Sequence, residues 1–208
     1  MNAKQSYGWI SEKPSPSYYF LRLRIQAILR RLGIKSVFDM GCGNGALCRA
    51  LHQDGYSVVG MEYSQEGYDI ARQAYPEITF FQGNIYSPPP SLQETYPAGF
   101  DCVISTEVIE HLYSPQKLPL FAAQLLKPEG YLIISTPYHG YVKNCCLSLL
   151  NGWDAHHFSL WEGGHIKFWS HKTLTKLLLD AGFRVAEFHG CGRVPYLWKS
   201  MIVVAQMT

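Results

Sequence analysis

The sequence predicts an α/β fold doubly wound around a mostly parallel sheet, and three observations carry the prediction. Short apolar runs alternate with amphipathic helical stretches along most of the chain. A glycine-rich turn joins the first of these runs to a helix, and an acidic residue closes the second. At 208 residues the length fits a single domain, and 47% hydrophobic against 16% charged residues excludes a disordered chain.

Residues 18 to 32 place Leu21, Ile25, Ile28, Leu29 and Leu32 on one helical face, and Gly33 ends that helix. Arg22, Arg24, Arg30 and Arg31 fall mostly elsewhere and read as a solvated face. A buried strand, 36–40, runs through the glycine turn into a helix from Ala46 to Gln53. A second strand, 57–62, a helical stretch to about Ala74 and a third strand, 78–83, follow. Residues 87–99 read as loop because of their prolines.

The fourth strand is 100–106, and a helix through Leu118, Phe121, Ala122, Leu125 and Leu126 precedes the fifth, 130–136. Pro119 should disturb the first turn of that helix. Residues 137–169 break the alternation with Trp153, Trp161, Trp169 and four histidines, and read as a cap inserted into the sheet order. A helix through Leu174, Leu177, Leu178 and Ala181 and two strands, 183–189 and 200–206, complete a seven-stranded sheet in which one terminal strand is antiparallel.

The strongest chemical signal is Asp39-Met40-Gly41-Cys42-Gly43-Asn44-Gly45, placed between a buried strand and a helix. Glycine there permits positive φ and close approach of a ligand, and the helix N-terminus offers unpaired N–H groups. Glu62 stands twenty-one positions past the first glycine, where a carboxylate can accept from both ribose hydroxyls of an adenosine cofactor. Gly41-x-Gly43-x-x-Ala46 also fits a dinucleotide fingerprint, so the glycines alone leave the cofactor open.

Taken together, Asp39-x-Gly41-x-Gly43-x-Gly45, Glu62-Tyr63, Phe100–Leu112 (FDCVISTEVIEHL) and the Leu-Lys-Pro-Glu-Gly run before the fifth strand resemble the class I S-adenosylmethionine-dependent methyltransferases. The resemblance is close over about residues 35–136 and looser over the last three elements. It implies a Rossmann-like methyltransferase fold with S-adenosylmethionine as cofactor. It also implies cofactor contacts at Asp39, Gly41, Cys42, Gly43 and Gly45 for the methionine end, and at Glu62 for the ribose. Tyr63 is then the adenine-packing position, Asn84 and Ile85 the adenine edge, and Thr106 and Glu107 the neighbours of the sulfonium. Where the family commonly has Asp, this chain has Asn84, whose amide can also accept from an exocyclic amine.

The acceptor is approached by absences. No Asn/Asp-Pro-Pro-Tyr/Phe follows the fourth strand and no Pro-Cys nucleophile motif occurs, which disfavours methylation of DNA amines and covalent pyrimidine methylation. Glu107-Val-Ile-Glu110-His111-Leu112 instead resembles the ubiquinone-pathway O-methyltransferases and the small-RNA ribose methyltransferases, where such a run binds a divalent metal. On a helix, Glu107, Glu110 and His111 would share one face. His165 matches a further histidine of the RNA enzymes. Three readings stay open: a metal site, His111 as general base with His165 second, and packing beneath the cofactor.

The expected reaction is methyl transfer to a small molecule, at oxygen. Tyr138, His139, Tyr141, Trp153, His156, His157, Phe158, Trp161 and His165 give the cap flat apolar faces suited to an aromatic or lipid-like acceptor. The rivals are a nicotinamide-dependent oxidoreductase, a non-catalytic cofactor-binding module and an RNA ribose methyltransferase. A net charge of +2 argues against broad phosphate contact, so nucleic acid is not the expected partner. No run of about 18 apolar residues occurs, the N-terminus lacks a signal-peptide core, and the six cysteines are irregularly spaced. A cytoplasmic location is expected.

Overall fold

The computed structural model describes residues 8–157, 160 and 163–208. The strands are β1 (Ser36–Met40), β2 (Ser57–Glu62), β3 (Thr79–Gln82), β4 (Phe100–Thr106), β5 (Leu126–Pro137), β6 (Phe183–Cys191) and β7 (Ser200–Met207). They form one sheet in the order β3-β2-β1-β4-β5-β7-β6. β1 pairs in parallel with both β2 and β4, and β7 runs antiparallel between β5 and β6. The helices are α1 (Tyr18–Arg31), α2 (Ala46–Gln53), α3 (Gln65–Ala74), α4 (Pro90–Thr95), α5 (Lys117–Leu125), α6 (Tyr141–Leu149), α7 (Trp153–His157) and α8 (His171–Asp180).

The sheet is buried on both faces, so its strands read as continuous apolar runs. Successive residues still go to opposite sides. Met201, Val203 and Ala205 of β7 pack in one core with α5 and α8, and Ile202 and Val204 in the other with α1 and α2. On α1 the expected stripe forms: Leu21, Ile25, Ile28 and Leu29 are all buried, at about 1.5–3 kcal/mol each. All six cysteines are free thiols, and no helix among the described residues is long and apolar enough to cross a membrane.

Two local expectations are corrected. The proline-rich segment 87–99 contains α4, because Pro90 is preset for a first helical position and Leu92 is fully buried. Pro119 does not prevent α5 from starting at Lys117, since N–H groups in a first turn have no intrahelical partner anyway.

Candidate active site

β1 leads into the turn Gly41–Gly45 and then α2. The three glycines have φ of 80°, 56° and 77°, a region strained for residues with side chains. Gly41 and Cys42 donate their N–H groups to the Met61 carbonyl at 2.8 and 3.0 Å, which fastens the turn to β2. The Ser105 hydroxyl donates to the Met40 carbonyl at 2.9 Å and fastens it to β4. Because β2 and β4 leave on opposite sides of β1, the turn opens into the crevice expected at a switch in strand order. A cavity of about 720 Å³ fills that crevice.

Glu62, at the end of β2, holds its carboxylate on the cavity wall. Oε2 accepts from the Gly43 N–H and Oε1 from the Ser64 N–H, each at 2.8 Å. Burial pushes its pKa up and these N–H groups oppose that shift. Glu62 faces the cavity, where a carboxylate can accept from a ribose hydroxyl, and the volume suits a nucleoside cofactor. Gly41, Cys42, Gly43, Tyr63, Asn84, Ile85, Thr106 and Glu107 also line the cavity.

Asp39 and Gly45 lie behind that wall. Asp39 is fully buried; its Oδ2 accepts from the Cys48 thiol at 3.3 Å and its Oδ1 has no partner among the described residues. Burial, above all, pushes its carboxyl up to about 7. Asn84 departs from the expected use of its side chain. Its Oδ1 accepts from the N–H groups of Tyr86 (2.8 Å) and Ser87 (2.9 Å), so the amide N–H₂ is the function left for a ligand.

The run after β4 is not an α-helix. Glu107 has φ of 55°, and only Ile109–His111 form a 3₁₀ turn. Glu107 therefore turns away from Glu110 and His111: it accepts from the Ser135 hydroxyl at 2.9 Å and the Ser200 hydroxyl at 3.1 Å. Burial pushes it up to about 7, opposed by those hydroxyls and by the Lys143 ammonium. The three-residue face predicted for Glu107, Glu110 and His111 does not form.

What forms instead is Glu110, His111 and His165. The Glu110 carbonyl accepts from the N–H groups of Ile166 (2.9 Å) and Lys167 (3.0 Å), which brings His165 across to the 3₁₀ turn. The Nε2 atoms of His111 and His165 each lie 4.0 Å from Glu110 Oε1, and the His rings meet edge to face at 4.9 Å. Glu110 is 1% exposed; Oε2 accepts from the Thr136 hydroxyl, while Oε1 has no hydrogen-bond partner among the described residues. Burial and the neighbouring Glu107 raise its pKa.

His111 Nδ1 lies 2.7 Å from the Gly163 carbonyl, which can only accept, so Nδ1 carries the proton and Nε2 the lone pair. Burial lowers the pKa of His111 and takes His165 down to about 4, so both rings are neutral near pH 7. One carboxylate and two neutral imidazoles within 4.8 Å of one another make a donor set that fits a first-row divalent cation. Both rings also line the cavity, whereas Glu110 sits behind them.

Of the cap residues expected at the acceptor, His165 alone is on the cavity wall among those described. Tyr138 packs on Trp198 and Phe188, Tyr141 points to solvent, and His139, His157 and Trp153 stack on one another beside His156 and Phe168. Phe158 and Trp161 lie outside the described residues. The cavity's aromatic surface comes instead from Trp9, Tyr18, Tyr63, Tyr86 and Tyr113.

Helical position assigns Arg22 to a solvated face, yet it lines the cavity, its guanidinium 5.4 Å over the Tyr18 ring and hydrogen-bonded to the Tyr18 hydroxyl at 3.1 Å. It forms no ion pair among the described residues and so offers a fork to an anionic group such as the cofactor's carboxylate. Helical periodicity alone could not single it out from Arg24.

Sheet order, the glycine turn after β1 and the acid that closes β2 together define a class I S-adenosylmethionine-dependent methyltransferase. Residues 17–187 match a family of methyltransferase domains, and the chain belongs to that family. Over 121 residues it is 35% identical to a ubiquinone biosynthesis O-methyltransferase of Photorhabdus laumondii subsp. laumondii, covering 55% of this chain and 49% of the relative. A protein of the same description from Yersinia enterocolitica is 32% identical over 117 residues, covering 55% and 48%. The chain thus spans about half the length of the curated relatives it matches. The magnesium protoporphyrin IX methyltransferase of Synechocystis PCC 6803, solved with bound SAH, shares the fold: TM-score 0.68, 22% identity, 90% of this chain and 82% of that one.

Proposed function

We propose that the protein transfers the methyl group of S-adenosylmethionine to an oxygen of a small aromatic or lipid-like molecule, in the cytoplasm. The observation that carries this reading is the convergence of Glu110 Oε1 and the Nε2 atoms of His111 and His165 at the cofactor cavity. A hydroxyl acceptor must lose a proton, and this cluster is equipped to manage one. The curated relatives' description as O-methyltransferases of ubiquinone biosynthesis supports oxygen as the attacked atom.

When bound, the cofactor supplies a methyl group already activated by its sulfonium charge. Glu62 receives the ribose hydroxyls, the Gly41–Gly45 turn and Thr106 face the methionine end, and Tyr63, Asn84 and Ile85 border the adenine. Arg22 takes the carboxylate. The chain then has to hold the acceptor oxygen in line with the methyl carbon and keep water out. His111, with its lone pair on Nε2 and its proton fixed toward Gly163, takes the acceptor's proton. Residues 1–208 act in this reading as one domain, with 137–169 covering the acceptor side.

A second reading is favoured by the unsatisfied, buried Oε1 of Glu110. Glu110, His111 and His165 would hold a divalent cation, which when bound lowers the pKa of a coordinated hydroxyl. The two readings separate by chelation. Release of S-adenosylhomocysteine is measured with catechol and phenol acceptors, before and after a chelator and again with Mg²⁺, Mn²⁺ or Zn²⁺ restored. Turnover that survives chelation supports His111 as base, and turnover lost and restored supports the cation. Turnover with amine or carbon acceptors only, with every hydroxyl inert, overturns O-methylation.

A further inference from the structure

We propose that Trp9 is a cofactor-binding residue: its indole forms the outer wall of the ribose end of the S-adenosylmethionine pocket, on a strap that Asn44 clamps in place. The proposal rests on the cofactor assignment and is independent of the acceptor. Trp9 lies before residues 17–187, which the family matches.

The indole has a built seat. A Cβ added at Gly43 would fall 2.3 Å from Trp9 Cζ2 and 2.8 Å from Cη2, so the six-membered ring lies against the bare Cα of the turn. A Cβ added at Gly67, in the first turn of α3, would fall 3.0 Å from Trp9 Cδ1 and 3.1 Å from Glu62 Cγ. The ring therefore spans from the turn after β1 to α3, beside Glu62. Glycine inside a helix is unfavourable relative to alanine, but a Cβ at Gly67 would meet the Ser64 hydroxyl oxygen at 2.8 Å as well as the indole.

The strap is fixed independently of the ring. Asn44 is 2% exposed, and its amide nitrogen donates to the carbonyls of Ser11 at 2.9 Å and Lys13 at 2.7 Å. A buried side chain of the cofactor turn is thus committed to the segment that carries Trp9. With the indole seated, the cavity still measures about 720 Å³, so the ring walls the pocket without filling it. Shielding the ribose–Glu62 hydrogen bonds from water strengthens them, and release of the cofactor requires the strap to lift.

The dissociation rate and Kd of S-adenosylhomocysteine, measured on the full chain, test this. Trp9→Ala should speed dissociation about tenfold, with a smaller change in the association rate. Trp9→Phe should restore most of the retention. Asn44→Ala should also speed dissociation, and combining it with Trp9→Ala should add nothing further, because both act through one strap. A dissociation rate unchanged in Trp9→Ala, with thermal unfolding unchanged, overturns the proposal, as do effects of the two substitutions that multiply. A native protein that binds no S-adenosylhomocysteine overturns the cofactor assignment, and this proposal with it.

Discussion

The carboxylate of Glu62 accepts a hydrogen bond from the backbone N–H of Gly43 at 2.8 Å, so the last residue of β2 braces the turn that follows β1. One side chain thereby shapes the pocket, and in the proposed function it also receives the ribose. Glu62→Ala removes both actions, and hydrogen bonds to an ionised group are worth about 1.5–3 kcal/mol. The Kd for S-adenosylhomocysteine should rise about ten- to a hundredfold by calorimetry. An unchanged Kd would mean that the ribose is held elsewhere.

Asp39 should make stability pH-dependent. Its folded pKa of about 7 lies above its ordinary value of 3.8, chiefly through burial. A carboxyl raised in this way contributes stability that is whole below the ordinary value and lost as pH rises through the folded one. Asp39→Asn abolishes that titration. Its melting temperature should therefore gain on the native protein's between pH 4 and 7 and hold the gain above it. A difference independent of pH would show that Asp39 is ionised throughout.

Glu110→Gln separates the two readings of the catalytic cluster. If a cation is bound there, the substitution should strip metal from the purified protein and reduce turnover in parallel. With His111 acting as base alone, metal content should be nil in both proteins, and His111→Ala should reduce turnover by about 10²–10⁴ with cofactor affinity nearly intact. Elemental analysis and a turnover assay decide between them.

Lys143 anchors α6 from inside. It is 4% exposed and donates to the Tyr138 carbonyl at 2.8 Å and the Lys199 carbonyl at 3.5 Å. Lys143→Met removes the ammonium donor from the Tyr138 carbonyl, so urea unfolding should show a loss of about 1–3 kcal/mol. The same variant should make 141–157 more accessible to hydrogen exchange, while binding of S-adenosylhomocysteine is unchanged.

Local pattern was enough to read most of the framework. α2 spans Ala46–Gln53 as the periodicity predicts, and β1, β2 and β4 fall on their apolar runs. The turn and the acid on the cavity wall are legible too, because the glycines and Glu62 are set by short segments of known spacing. The corner around Glu110 and His111 is less so. A helical period assigns Glu107 to one face with Glu110 and His111, but its left-handed backbone and the hydroxyls of Ser135 and Ser200 override that period. Trp9 gains its place from contacts across the fold, which no window of sequence records. The cap histidines were conspicuous by residue type, yet His139, His156 and His157 pack mainly on one another and on neighbouring aromatic rings.

The sheet order has a consequence for synthesis. β6 leaves the ribosome before β7 but has no neighbour in the sheet except β7, which must first slot in beside β5. A nascent chain stopped short of Ser200 would hold β6 unpaired and the edge of β5 open, a template for pairing with another chain. Because Ser200 also supplies a hydroxyl to Glu107, the same late strand that seals the sheet completes the polar setting of that corner of the cavity. Maturation of the pocket is thus coupled to the closing of the fold, and a half-made chain lacks that corner.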